Sequence, residues 1–527
     1  MNKELKYLAG RAVSGKLDRR AFMGRAAALG ASAAMANTLL ATSALAQGPI
    51  KGGLLKSGLS GGESTNSLDP ATFATQVPTN FGNTWGEGLV EMNPAGEVVN
   101  RLAESIEASD DAKVWHFKIR QGVEFHNGKT LTPDDVKATL ERHSGEDTKS
   151  GALGIMRGIE SIEASGDTVS ITLTTPNADL PYLMTDYHLM IQPNGGVDAP
   201  DAGIGTGAYV VEVNEPGVRH GGQKFANYWD DGRGHADQVE IIVLNDATAR
   251  TAAIQGGQVH MINRVEPKIA DLLKRVPGLE VKSVSGRGHY VFIMHTDTAP
   301  FDNKDLRLAL KYAIDREEMV DKILRGYGSV GNDMPINSAY PLFSDDIEQR
   351  TYDPDLARFH YERSGHEGPV LLRTAGAAFS GAVDAAQLYQ QSAAAAGIEL
   401  DVRREPDDGY WSEVWNNKPF CASYWGGRPV QDQMYSVAYL STADWNDTRF
   451  NDSHFDELLL SARGELDQVK RKAIYREMGT IVRDDGGLIL PMFNDFIGAV
   501  SDTVGGYVND PNGELMNGFA LSKTWLA

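Results

Sequence analysis

One cysteine, Cys421, stands in 527 residues. Neither an intrachain disulfide framework nor a cysteine-held zinc or iron–sulfur centre can organise such a chain, so the fold must hold by packing alone. Apolar residues make up 41% and charged residues 23%, a globular balance that excludes disordered, collagen-like and multi-pass membrane classes. At about 100–200 residues per domain there is room for two to four domains, and hence for a cleft between them.

The first 46 residues stand apart. Lys3, Lys6, Arg11, Lys16, Arg19, Arg20 and Arg25 precede a charge-free, alanine-rich run from Ala26 to Ala46. Gly30, Ser32, Asn37, Thr38, Thr42 and Ser43 dilute that run below what a spanning helix needs. Ala44-Leu45-Ala46 before Gln47 fits a signal-peptidase site, and Arg19-Arg20-Ala21-Phe22-Met23 resembles a twin-arginine motif. The expectation is an export signal over residues 1–46, cleavage near Ala46, and a periplasmic protein exported already folded. No cysteine adjoins the cleavage position, so no lipid anchor is expected.

The formal net charge is −21, and the first 46 residues carry seven Lys/Arg against two Asp/Glu, so the remainder is more acidic still. A field of that sign repels phosphate backbones and anionic headgroups, which argues against nucleic-acid and membrane-surface partners.

Beyond Gly52 the element types alternate. Leu54 onward reads as a strand running into the turn Gly61-Gly62, and Val114–Ile119 alternates as a half-buried strand. Thr132-Pro133-Asp134-Asp135 opens a helix to about His143, and Ile159–Ala164 and Val169–Leu173 pair around Gly166-Asp167. Strands are predicted near Tyr209–Val213, Val239–Leu244, Pro369–Arg373 and Glu399–Arg403. Helices are predicted near Ala247–Ile254, from Asp302, and over Ala382–Ala396, Phe455–Arg463 and Asp467–Arg483. This alternation predicts mixed α/β domains.

Four blocks in order carry a resemblance. They are Ser67-Leu68-Asp69-Pro70; Phe117 to Gly128 leading into Leu131-Thr132-Pro133-Asp134-Asp135-Val136; Gly205-Thr206-Gly207-Ala208-Tyr209; and Asp305 to Leu310 with Ala313-Ile314-Asp315-Arg316. Together the chain resembles the solute-binding proteins of bacterial peptide-type ABC importers (family 5), which include dipeptide-, oligopeptide- and nickel-binding members. The resemblance implies an α/β, two-lobed periplasmic binding protein fold with an interdomain ligand cleft and an extra subdomain in the first lobe. Lobe 1 would comprise residues 47–83, 205–288 and 493–527, with 84–204 inserted in it, and lobe 2 residues 289–492. It also implies a monomer that closes on a peptide or peptide-like molecule and delivers it to permease subunits in the inner membrane, with no cofactor and no catalysis.

Candidate ligand residues follow from the aromatic stretch that holds Tyr410, Trp411, Tyr424 and Trp425, then Arg428 and Asp432. Flat apolar walls beside fixed charges suit a selective pocket, and in the resembling family an aromatic at the place of Trp425 abuts the ligand. Peptide-binding members carry an aspartate three positions on, for the peptide's amino terminus; here the position is Arg428, which repels an ammonium and offers a planar fork to a carboxylate. Arg373 is the only arginine near the place where dipeptide binders hold the peptide carboxylate. Asp432 either receives a ligand cation or pairs with Arg428. Thr75 and Gln76 are expected on the opposite wall, and Phe493 and Asn494 on the cleft floor. Anionic opine-like compounds, oligosaccharides and a metal chelate are the alternative ligands.

Gly58-Leu59-Ser60-Gly61-Gly62 matches the G-x-S-x-G of hydrolase nucleophile elbows, so a secreted serine hydrolase using Ser60 is the different-class alternative. That motif needs a helix directly after it, and Glu63-Ser64-Thr65-Asn66 and Asp69-Pro70 prolong a loop instead. No phosphate-binding loop or H-E-x-x-H pair occurs.

Overall fold

The computed structural model describes residues 49–527 apart from 74, 146–147, 149, 407–409 and 444, and, before them, residues 5, 8, 17, 19–29 and 31. Arg19–Ala28 is helical, and Phe22 and Ala26 pack with Leu5 and Leu8. Ala44-Leu45-Ala46 lies outside the described residues. Among the described residues no helix is long and apolar enough to cross a membrane.

The molecule is organised by one sheet of eleven strands. At its centre two long antiparallel strands, Leu279–Met294 and Leu488–Ser501, run side by side. On one flank lie Met261–Ile262, Leu54–Leu59, Gln238–Val243, Arg219–Lys224 and Tyr209–Glu215; on the other lie Phe420–Trp425, Val370–Thr374 and Leu400–Arg404. Gly328–Val330 pairs separately with the second long strand. Val370–Thr374 and Leu400–Arg404 pair in parallel with the helix Ala382–Ala395 between them, the usual solution for connecting parallel neighbours.

The two long strands change register between Ser285 and His289, where Gly286-Arg287-Gly288 stands against the single residue Asn494. Leu279–Ser285 therefore pairs with 495–501, and His289 pairs with Phe493 on one side and Trp425 on the other. Such a break bends the ladder locally, and it falls between two large apolar cores. One gathers Leu55, Phe81, Trp85, Tyr209 and Ile241. The other gathers Phe292, Leu310, Tyr389, Tyr435 and Leu490.

A separate four-stranded antiparallel sheet, ordered Ala103–Ala108, Val114–Ile119, Thr168–Leu173 and Ile159–Ser165, packs with the helix Pro133–Arg142 through Phe117, Ile171, Val136 and Leu140. That helix starts where the sequence places it. Thr132 N–H donates to Asp135 Oδ2 at 3.0 Å and Asp135 N–H to Thr132 Oγ1 at 3.4 Å, with Pro133 in the first turn. The helix expected from Asp302 begins at Lys304, because Asn303 accepts from Asp305 and Leu306 and so caps it.

Candidate functional site

A cleft of about 730 Å³ opens above the register break. One wall carries Thr75, Gln76 and Tyr187, the other Gly426 to Pro429, Gln433 and Trp445, and Arg264, Arg287, Gly288 and Phe496 lie along its base.

Thr75 is the N-cap of the helix Gln76–Trp85, yet its hydroxyl caps nothing. Thr75 Oγ1 is buried without a partner among the described residues, and Gln433 Oε1 and Asn512 Oδ1 share that condition. The Asn512 amide is oriented by its NH₂, which donates to the Asn93 carbonyl and to Asp510 Oδ1, both at 2.7 Å. Three orphan polar atoms on one cavity are a hydrogen-bonding demand that a bound molecule can meet. The loop before the helix comes close because Gly61, at φ +93°, lets it pass: a β-carbon there would stand 3.2 Å from Gln76.

Arg428 enters through its backbone as well as its side chain. Its N–H donates to Tyr340 Oη at 3.2 Å, and its Nη1 donates to the Gly426 and Gly427 carbonyls at 3.1 and 3.2 Å. No carboxylate forms an ion pair with it among the described residues. Arg264 is partly neutralised by Glu514, 3.5 Å away. Burial pushes the Glu514 carboxyl up from its ordinary value, with Arg264 opposing.

The structure brings Thr75, Gln76 and Arg428 to the cleft and keeps other expected residues behind its walls. Asp432 is buried outside the cleft lining and accepts from Arg463 Nε at 3.0 Å, so of its two expected roles the pair with Arg428 is not formed and a ligand cation is not faced. Burial, opposed by Arg463, pushes the Asp432 carboxyl up to about 6. Trp425 is 4% exposed and donates its indole N–H to Asp447 Oδ2 at 3.1 Å; the tryptophan that lines the cleft is Trp445, 53% exposed, with its ring 6.1 Å from Trp425. Tyr410 is buried with its hydroxyl donating to the Ala422 carbonyl at 2.8 Å. Tyr424 is exposed outside the cleft lining, and the Trp411 side chain lies outside what is described. Phe493 is buried edge-on against His289 with ring centres 5.3 Å apart. Half-buried Asn494 sits under Gly288, one layer beneath the cleft. Arg373 is paired with Glu405 rather than turned to the cleft.

Sequence reasoning missed Trp445, Tyr187, Arg264 and Arg287. Of these only Arg287 carried a local sign, its two flanking glycines. The strand Leu54–Leu59 does lead into Ser60, but the next α-helix starts at Gln76, so the strand–turn–helix of a nucleophile elbow is not built.

A sheet shared by two apolar cores, with a polar cleft over the crossing strands, defines a two-lobed periplasmic binding protein. The chain belongs to the bacterial extracellular solute-binding proteins, family 5, whose model matches residues 97–447. It is 26% identical over 467 residues to the glutathione-binding protein GsiB of Salmonella typhi, covering 85% of this chain and 90% of that one. It is 26% identical over 470 residues to heme-binding protein A of Haemophilus influenzae, covering 81% and 83%. Among solved structures, AgaA of A. tumefaciens in complex with agropinic acid matches with a TM-score of 0.74 at 25% identity over 90% of this chain and 99% of that one. HbpA2 of Haemophilus parasuis matches with a TM-score of 0.79 at 21% identity, covering 90% and 100%.

Proposed function

We propose that this chain is the exported, periplasmic substrate-binding component of an ABC importer, and that it captures a small peptide-like anion. Residues 47–83, 205–288 and 493–527 form lobe 1 with 84–204 inserted in it, residues 289–492 form lobe 2, and the lobes rotate about the crossing near Gly286–Gly288. Closure presents a changed surface to permease subunits in the inner membrane. The protein acts as a monomer after losing residues 1–46.

The observation that carries the ligand class is Arg428. In a chain of net charge −21, its guanidinium lines the cleft with no carboxylate within ion-pair distance among the described residues, although Asp186 and Glu514 line the same cleft. On the opposite wall the N-terminus of the helix Gln76–Trp85, beside the unused Thr75 hydroxyl, adds a positive dipole end. Both features favour an anion in the cleft between them. Gln433 Oε1 and Asn512 Oδ1 accept, so the same molecule must also donate, as amide or amine groups do. That combination describes peptides and opine-like conjugates. The named ligands of the relatives, glutathione and agropinic acid, support this reading.

A thermal-shift screen of residues 47–527 against dipeptides, longer peptides, opine dicarboxylates and oligosaccharides tests it, because a ligand that binds only the folded state raises Tm. Acidic peptide-like compounds are expected to raise Tm, and Arg428→Ala to weaken them by about 2–5 kcal/mol. Stabilisation by neutral oligosaccharides alone, or an unchanged affinity in Arg428→Ala, contradicts it.

A further inference from the structure

Arg287 lines the base of the cleft and is 3% exposed. Its Nε and Nη2 donate to the Ala339 carbonyl at 3.0 and 2.7 Å, its guanidinium lies 5.1 Å from the Tyr340 ring centre, and its Nη2 is 3.8 Å from Met92 Sδ. Nη1 makes no hydrogen bond among the described residues. No carboxylate pairs with it there either; Asp510 acts on it only from beyond ion-pair distance. Burial accordingly pulls Arg287 below the ordinary arginine range. Other deeply buried arginines are satisfied differently: Arg316 and Arg350 hold Asp333 and Arg471 holds Asp179, while Arg250 and Arg307, which like Arg287 form no ion pair among the described residues, give both Nη atoms to backbone carbonyls; Arg287 leaves its Nη1 unspent beside the cleft.

A buried cation without a counter-charge is destabilising unless something supplies the anion. The supply can come only from the side that is open, which is the cleft. Arg287 is also mechanically tied to Arg428. Tyr340 lies beneath the Arg287 guanidinium while its hydroxyl accepts the Arg428 backbone N–H at 3.2 Å, and Gly427 packs directly on the Arg287 backbone. The two arginines thus form one cationic edge, with Arg428 on the wall and Arg287 at the base.

We infer that Arg287 is a specificity-determining anchor for a second acidic group, so that the cleft selects peptide-like ligands carrying two carboxylates over those carrying one. This rests on the reading of the cleft as a site for peptide-like anions and narrows it. Planar guanidinium forks match carboxylates in geometry as well as charge, so each arginine can hold one group.

The test uses Arg287→Met and Arg287→Lys in the 47–527 protein, with the dipeptides Ala-Glu, Ala-Gln and Ala-Ala as probes, read by calorimetry and thermal unfolding. Wild type is expected to bind Ala-Glu more tightly than Ala-Gln. Arg287→Met is expected to bring the two together by weakening Ala-Glu roughly 30-fold or more, with Arg287→Lys intermediate. Ligand-free Arg287→Met is expected to melt at or above the wild-type Tm, because the charge it removes has no resident partner. A clear drop in the ligand-free Tm of both variants with Ala-Glu binding retained would make Arg287 a structural residue and overturn the inference. Equal binding of Ala-Glu and Ala-Gln by wild type overturns it while leaving solute capture intact. Failure of all three dipeptides to bind wild type overturns it together with the peptide-like reading.

Discussion

Gly427 and Arg287 touch so closely that a β-carbon on Gly427 would stand 2.2 Å from Arg287 Cβ. The loop that carries Arg428 can occupy its place only because residue 427 has no side chain. Gly427→Ala must therefore push the loop away from the cleft base. The expected outcome is a loss of about 1–3 kcal/mol in urea unfolding, typical of overpacking, together with weaker binding of acidic ligands. Unchanged stability and affinity would show that the loop yields freely.

Behind the cleft wall, Asp447 is fully buried and accepts from the indoles of Trp415 and Trp425 at 2.9 and 3.1 Å. Burial, opposed by those two bonds, pushes its carboxyl up to about 7. Its folded value lies above the unfolded one near 3.9, so the folded state holds the extra proton between roughly pH 4 and 7. The associated stability is complete below that window and is lost as pH rises through it. Asp447→Asn is expected to flatten this decline and to gain about 2–4 kcal/mol relative to wild type at pH 8. Unfolding curves at pH 5 and pH 8 measure it; a difference that does not change between them contradicts the assignment.

Asp179 and Arg471, far apart in the chain, form a buried ion pair beside a bond from the Ala178 N–H to the Arg463 carbonyl at 2.7 Å. Arg471→Ala leaves Asp179 buried and uncompensated. A destabilisation of about 3–5 kcal/mol is expected. Arg471→Ala combined with Asp179→Ala should recover part of it, and a double-mutant cycle by chemical denaturation reads that coupling.

Thr75→Val removes a hydroxyl that bonds nothing in the described structure. Ligand-free stability should stay within about 0.5 kcal/mol of wild type, while affinity for the ligand falls by the loss of one hydrogen bond, about 1 kcal/mol. A large loss of ligand-free stability would instead place the hydroxyl in a capping role.

Ser60→Ala should leave ligand binding unchanged, since the motif around Ser60 has its strand but not its helix. Ester or amide turnover by wild type that disappears in this variant would revive the hydrolase alternative.

Local chemistry was readable ahead of the fold. The Thr132–Asp135 capping box, the hairpin around Gly166-Asp167 and the helix Ala382–Ala395 depend on neighbours a few residues away. A strand from His289 was legible, but the full length of the two long central strands was not, because Pro491 and the glycines at 286 and 288 break the strand signature that the long-range pairing overrides. At the site, Arg428 was visible as a charge where the resembling family places the opposite one. Arg287 was not, since Ala339 lies 52 residues further along. Asp432 was misread for the same reason, its partner Arg463 being 31 residues away. Trp425 is an aromatic in the block where the resembling family meets its ligand, but its indole turns to Asp447, and Trp445 is the tryptophan on the cleft.

The most direct test is a crystal structure of residues 47–527 with the strongest acidic peptide-like ligand from the thermal screen. The account predicts that ligand between the walls, with a carboxylate on Arg428, a second on Arg287, and N–H groups donating to Gln433 or Asn512. A ligand seated outside the cleft, or one that turns an uncharged face to Arg428, would contradict it.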